Sequence, residues 1–230
     1  MSTLPEAPTV LFFDIDGTLI RTGGATRAAM ARALKALFGI EAATVDVDTV
    51  GRTDRAIICD LLELYGIDPE PATLEEFFRT YCALLPETLA ARRRGRVLPG
   101  VRETLEQFSQ RPNTVLALLT GNLRRGAYAK LAHFGLAHYF PCGGFGDHHL
   151  DRRDVAREAV EAIRRHLAVE PDPARCYVIG DTVHDIRCAH AIGAVPIAVL
   201  TGWTSAAELY AEQPYAVLET LDELQSILPR

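Results

Sequence analysis

At 230 residues and 25.2 kDa the chain is one large domain or two small ones, long enough to bury a core without disulfide or metal staples. Its composition, 48% hydrophobic and 23% charged, excludes wholesale disorder, and a net charge of −6 argues against a nucleic-acid binder. No apolar run reaches the ~18 residues of a membrane span, residues 1–8 (MSTLPEAP) lack a signal-peptide pattern, and five cysteines without a CxxC suit a reducing compartment, so a soluble cytoplasmic protein is expected.

The first element is residues 9–15, TVLFFDI, an apolar β-rich run suited to a strand buried on both faces. From 22 to 96 the pattern turns helical. Met30, Leu34, Leu37 and Phe38 form one apolar face; Ile57, Ile58, Leu61, Leu62 and Tyr65 a second; Leu74, Phe77, Phe78, Tyr81, Leu84 and Leu85 a third. Thr73 and Glu76 have the spacing of a capping box after the breakers Pro69 and Pro71. Gly and Pro cluster at 21–24 and 95–100, the expected hinges. Beyond them helix patterns (100–110, 124–134, 154–166, 184–192) are interspersed with strand runs at 114–119, 176–179 and 196–200. This predicts an α/β fold, a doubly wound (Rossmann-like) parallel sheet with an inserted α-helical cap. The expected division is a core of residues 1–21 and 97–230 and a cap of 22–96.

Chemistry concentrates at three strand ends. In FFDIDGTL (12–19), Asp14 and Asp16 follow a buried strand, and residues two apart on a strand share a side. Two carboxylates so close repel and call for a cation or a shared proton. Gly17 permits a tight turn and Thr18 adds a hydroxyl. An acidic turn or a calcium loop is the plain alternative, but no helix precedes Asp14. In LLTGN (118–122), Thr120 and the N–H groups of Gly121 and Asn122 could cradle an anion where a helix opens; alone this is often a simple helix cap. In VIGDTVHDI (178–186), Asp181 and Asp185 again follow a strand, where an acidic residue is as readily an N-cap. Together the three clusters would meet at the crevice where doubly wound sheets bind ligands.

In this order, with the helical insertion between the first two motifs, the chain resembles the haloacid dehalogenase-like hydrolases, specifically phosphoglycolate-phosphatase-like members with a helical cap. The resemblance spans nearly the whole chain. It implies Asp14 as nucleophile, Asp16 as general acid and base, and Thr120, with Gly121 and Asn122, binding the phosphoryl group. It implies Mg²⁺ held by Asp14, the backbone carbonyl of Asp16 and Asp181, with Thr18 and Asp185 in support. The family's usual lysine before a proline is missing from FGDHHLDRRDVAREAV; Arg152, directly after Asp151, takes its place in this reading, with Arg153 as the alternative. A guanidinium suits the task because it binds phosphate oxygens in pairs and stays charged.

Other features read more plainly. Adjacent His148 and His149 point apart and make a poor metal pair. Arg92, Arg93, Arg94 and Arg96 look like a solvated helix end beside a hinge. In GRTD (51–54), Arg52 is a candidate for reading an anionic substrate group, against Thr53 or Asp54 as a mere N-cap. The basic residues are 22 Arg and 2 Lys, a bias read as genomic. The expected function is Mg²⁺-dependent hydrolysis of a small phosphomonoester, of 2-phosphoglycolate or sugar-phosphate type, through an aspartyl-phosphate, with a small phosphorylated metabolite as partner. A haloacid dehalogenase would need neither Mg²⁺ nor Asp16. A phosphonate-cleaving relative would need a cap lysine, and Lys35 lies on the polar side of its helix. A phospho-accepting signalling module would have no use for the cap.

Overall fold

The computed structural model describes residues 7–42 and 46–228, so residues 1–6 of the segment expected to lack a signal peptide lie outside the described residues. In chain order the elements are β1 (Thr9–Phe13), β2 (Ile20–Arg21), α1 (Ala25–Phe38), α2 (Asp54–Leu64), α3 (Pro71–Ala91), β3 (Arg96–Val97), α4 (Val101–Ser109), β4 (Thr114–Leu119), α5 (Arg124–His133), β5 (Gly143–Gly144), α6 (Arg152–Leu167), β6 (Cys176–Gly180), α7 (Val183–Ala191), β7 (Val195–Val199), α8 (Ala206–Ala211), β8 (Ala216–Leu218) and α9 (Leu224–Ile227).

Six strands form one sheet in the order β5-β4-β1-β6-β7-β8, and every pairing is parallel. The chain builds outward from β1 to β4 and β5, then crosses back to β6 on the other side. The switch point is therefore β1 itself, and the ligand crevice of such a sheet lies beyond its C-terminal end. Side chains of β1 alternate between two cores. Leu11 and Phe13 join α4, α5 and α9; Val10 and Phe12 join α6 and α7. This two-sided burial explains why β1 reads as a continuous apolar run.

The strand ends at Phe13, two residues short of the expected 15. Asp14 still donates its N–H to Ile179 O (3.0 Å), but Gly17 (φ 93°) then reverses the chain, and Ile20–Arg21 pair antiparallel with Arg96–Val97. The two expected hinges are thus joined in a short ribbon. Between them α1, α2 and α3 pack around Met30, Leu34, Ile58, Leu61, Phe77, Tyr81 and Leu85, a separate apolar cluster that also takes in Leu123 of the core. The capping box expected at Thr73 and Glu76 is not formed. Pro71 opens α3, so Thr73 sits inside the first turn, because proline's fixed φ and missing N–H suit the first helical position. All five cysteines are free, and no helix among the described residues is long and apolar enough to cross a membrane.

Candidate active site

The register sets the site. Phe13 pairs with Leu118 on one side and Ile179 on the other, so Asp14, Thr120 and Asp181 emerge together just past three strand ends. Asp14, Asp181 and Asp185 are buried, and each offers a carboxylate oxygen within 4.8 Å of the others. Thr18 Oγ1 donates to Asp181 Oδ1 (3.1 Å), while Asp181 Oδ2 is buried without a partner. A Cβ on Gly17 would lie 2.4 Å from that oxygen and one on Gly202 1.7 Å, so both glycines leave the room this carboxylate occupies. Asp185 is more committed: its Oδ2 accepts from Thr182 N (3.0 Å) and Oγ1 (2.7 Å), closing a capping box on α7, and its Oδ1 accepts from Arg152.

Three buried carboxylates facing one guanidinium leave negative charge uncompensated. Burial, only partly opposed by Arg152 and reinforced by Asp185 and Asp16, pushes the Asp14 carboxyl up to about 7. Burial and the charges of Asp185 and Asp14 push Asp181 well above the usual carboxylate range. Hard oxygen donors, an orphaned carboxylate oxygen and a deficit of positive charge fit a metal ion, which this cluster could hold.

Arg152 is the first residue of α6, capped by Asp151, and is buried. Its Nη2 reaches Leu119 O (3.4 Å) and Asp185 and lies 3.6 Å from Asp14 Oδ1. Burial works against its charge, but Asp185 and Asp14 outweigh that and hold the guanidinium protonated. Arg153 turns outward and folds back on Asp151, with Nε 2.9 Å from Oδ2.

Asp16 belongs to a second group. Its Oδ2 accepts from Asn122 Nδ2 (3.0 Å) and from Lys130 Nζ (2.6 Å). Asn122 Nδ2 also reaches Thr120 Oγ1 (2.7 Å), and Lys130 donates to Asn122 Oδ1. Asp14 and Asp16 thus line one cavity from separate networks, since the two-residue strand period stops at Phe13. Helix α5 opens at Arg124, where its pattern was expected to begin, so the Gly121–Asn122 turn lies just before it. Its first free N–H groups are already taken, Leu123 N by Asp54 Oδ2 (2.9 Å) and Arg124 N by Asp147 Oδ2 (2.8 Å), so α5 offers an anion less than expected.

Lys130 was not anticipated, and Asp54 was read only as a possible N-cap. Both are buried, Asp54 at the N-terminus of α2 in the cap, and burial pushes its carboxyl up to about 6 against the pull of Lys130. The signal for Lys130 was its rarity: one of two lysines beside 22 arginines. Thr53 is the N-cap of α2, accepting from Ala56 N (3.1 Å), as its plainer reading has it. Arg52 lines the cavity but its Nη1 is held by Asp60 (2.5 Å) and Asp48 O (3.2 Å). Its carbonyl oxygen lies 2.2 Å from where a Cβ on Gly121 would be, so cap and core backbones meet there in close contact.

The resulting cavity, about 590 Å³, runs from Asp14, Asp16 and Asp181 to the ribbon and the cap, where Arg27, Arg94, Arg96 and Trp203 line it. Arg21 Nη2 donates to Thr201 O (2.8 Å) and its guanidinium sits over the Trp203 ring at 4.9 Å. The expected solvated helix end is therefore in part a wall of the cavity, because Arg94 and Arg96 continue from α3 into the ribbon.

Residues 8–193 match the sequence pattern of the haloacid dehalogenase-like hydrolases. A phosphoglycolate phosphatase from Agrobacterium fabrum is 29% identical over 210 residues, covering 89% of this chain and 85% of its own. A probable phosphatase, IndB, from Dickeya dadantii is 28% identical over 216 residues (94% and 91%). Among solved structures, CbbY from Rhodobacter sphaeroides in complex with phosphate superposes with a TM-score of 0.72 at 22% identity (94% and 96%), a likeness of fold.

Proposed function

The chain belongs to the haloacid dehalogenase-like hydrolases, and from that premise we propose that it is an Mg²⁺-dependent phosphatase of small phosphomonoesters, working through an aspartyl-phosphate on Asp14. The observation that carries the reading is the setting of Asp14: a buried carboxylate at the floor of a cavity, 3.6 Å from a buried guanidinium and grouped with Asp181 and Asp185. Asp14 attacks phosphorus and splits one hard displacement into two easier ones. Arg152 and the Thr120–Asn122 turn neutralise charge on the phosphoryl oxygens. Asp16 protonates the departing alkoxide, then takes a proton from the water that cleaves the intermediate. Asp14, the Asp16 carbonyl and Asp181 would hold Mg²⁺, whose charge offsets the repulsion between an anionic nucleophile and an anionic ester. Asp185, with both oxygens engaged, orients Arg152 and the turn before α7.

Phosphoglycolate-type or sugar-phosphate substrates remain the reading for the leaving group. The name of the Agrobacterium fabrum relative supports the first. So does the far wall of the cavity, where Arg94 and Arg96 have no carboxylate partner among the described residues and suit a second anionic group. A dehalogenase would leave Asp16 and its two donors without a task. Phosphonate cleavage through a Schiff base is disfavoured because Lys35 is exposed and paired with Glu41 (2.5 Å). A signalling role leaves the cavity-lining cap unexplained.

The test is turnover of p-nitrophenyl phosphate and 2-phosphoglycolate with Mg²⁺, in the wild type and in Asp14→Asn. Wild-type turnover with a loss of at least about 10³-fold in the variant is expected; activity in Asp14→Asn within tenfold of wild type would overturn the nucleophile, and no turnover of any ester by the wild type the whole reading.

A further inference from the structure

Lys130 is fully buried, and a buried ammonium is costly unless paired. Its carboxylate partner is Asp16; burial disfavours its charge, but Asp16 and the more distant charge of Asp54 outweigh it. Its Nζ holds Oδ2 of Asp16 at 2.6 Å, with Asn122 Nδ2 at 3.0 Å as a second donor, and no donor among the described residues reaches Oδ1. One oxygen of Asp16 is thereby fixed, and Asp16 lines the cavity. Asp54 is locked in turn by its backbone: its N–H donates to Gly121 O (2.7 Å) and its Oδ2 accepts from Leu123 N (2.9 Å). Those contacts exist only while α2 is seated on the loop after β4.

We propose that Lys130 is a positioning residue that aims the carboxylate of Asp16, and that Asp54 of the cap holds in place the loop carrying Asn122, the second donor to that carboxylate. The inference rests on the role proposed above for Asp16 and goes beyond it, since it gives the cap a residue that completes the core's proton-transfer group. With Asp54 in place, Gly121 and Leu123 on either side of Asn122 are tied to α2. With the cap lifted those two bonds are lost, Asn122 is freed, and Asp16 keeps one of its two donors. A link of this kind gives seating of the cap a direct effect on the chemistry, beyond exclusion of water.

A leaving group that needs no proton separates this role from a structural one. In Lys130→Met, kcat/KM for 2-phosphoglycolate, which reports the step in which the alkoxide leaves, should fall by about 10²-fold, the size of a lost acid–base contribution, while kcat/KM for p-nitrophenyl phosphate falls at least tenfold less. Asp54→Ala, which removes the acceptor for Leu123 N, should shift the ratio the same way by a smaller factor, and carries the test if Lys130→Met does not fold. Melting of Lys130→Met, Asp16→Asn and the double variant checks the Lys130–Asp16 contact without activity. Asp16→Asn leaves the buried ammonium without its charged partner, so the double should melt no lower than Asp16→Asn. Equal losses in kcat/KM on both esters, or melting shifts that simply add, would overturn the proposal. Absence of any turnover by the wild type would instead overturn the phosphatase reading and leave the melting cycle to decide the pair.

Discussion

Arg152 and Arg153 differ by one position and by about 100° around α6, yet one is enclosed between Asp14 and Asp185 and the other is 60% exposed on Asp151. An exposed pair of that kind contributes little. Arg152→Ala removes a donor aimed at the phosphoryl group and leaves Asp14 and Asp185 facing each other without it. Its kcat/KM should fall by at least about 10²-fold, as for one lost transition-state donor, whereas Arg153→Ala should stay within about twofold. Steady-state kinetics of both variants on p-nitrophenyl phosphate decide it; the opposite ranking would move the basic role one residue along. The sequence already pointed to Arg152 through its place after Asp151, but marked Lys130 by its rarity alone. A lysine in mid-helix carries no motif, and what makes it notable is a contact across 114 residues with Asp16.

At the scale of elements, local chemistry was read well where it acts locally. The apolar run of β1 and the alternation of strands and helices follow from periods of 2 and 3.6, and they led to the right architecture. Element ends were read less well. The end of β1 and the unformed capping box at Thr73 depend on single neighbours along the chain: Gly17, which reverses the chain after β1, and Pro71, which opens α3. Where α2 meets the core, the fit is tight enough to test. A methyl group on Gly121 would stand 2.2 Å from Arg52 O and 3.0 Å from Thr53 Cα, backbone atoms that must retreat with the cap. Gly121→Ala should therefore keep the fold but unseat α2. A displacement of about 1 Å near a catalytic group costs on the order of 10²-fold in rate, and that loss in kcat is expected, with a larger radius of gyration in solution scattering. Wild-type kinetics in this variant would show that the cap contact does not bear on catalysis.

For the molecule as a whole, the site makes stability depend on pH and on metal together. Asp14 is pushed from 3.8 up to about 7 and Asp54 from 3.8 up to about 6, both by burial first, and Asp181 moves the same way. A carboxyl whose folded value lies above its unfolded one binds more protons in the native state between the two. The metal-free protein therefore loses stability as pH rises from about 4 to about 7, and the loss is complete above that. His184 acts the other way: burial lowers it, so its contribution grows as pH rises toward 6.5, but it is one group against three. In EDTA the Tm at pH 8 should lie below that at pH 5.5, by roughly 3 °C for each kcal/mol in a chain of this size. Mg²⁺ should raise Tm, because a ligand that binds only the native state stabilises by mass action. The rise should be larger at pH 8, where the carboxylates are already ionised and no proton need be displaced. Activity should vanish in EDTA and return with Mg²⁺. Calorimetric scans at the two pH values, with and without the ion, read all of this. A metal-free protein more stable at pH 8, together with an Mg²⁺ increment independent of pH, would mean that the acidic cluster is not where the ion binds.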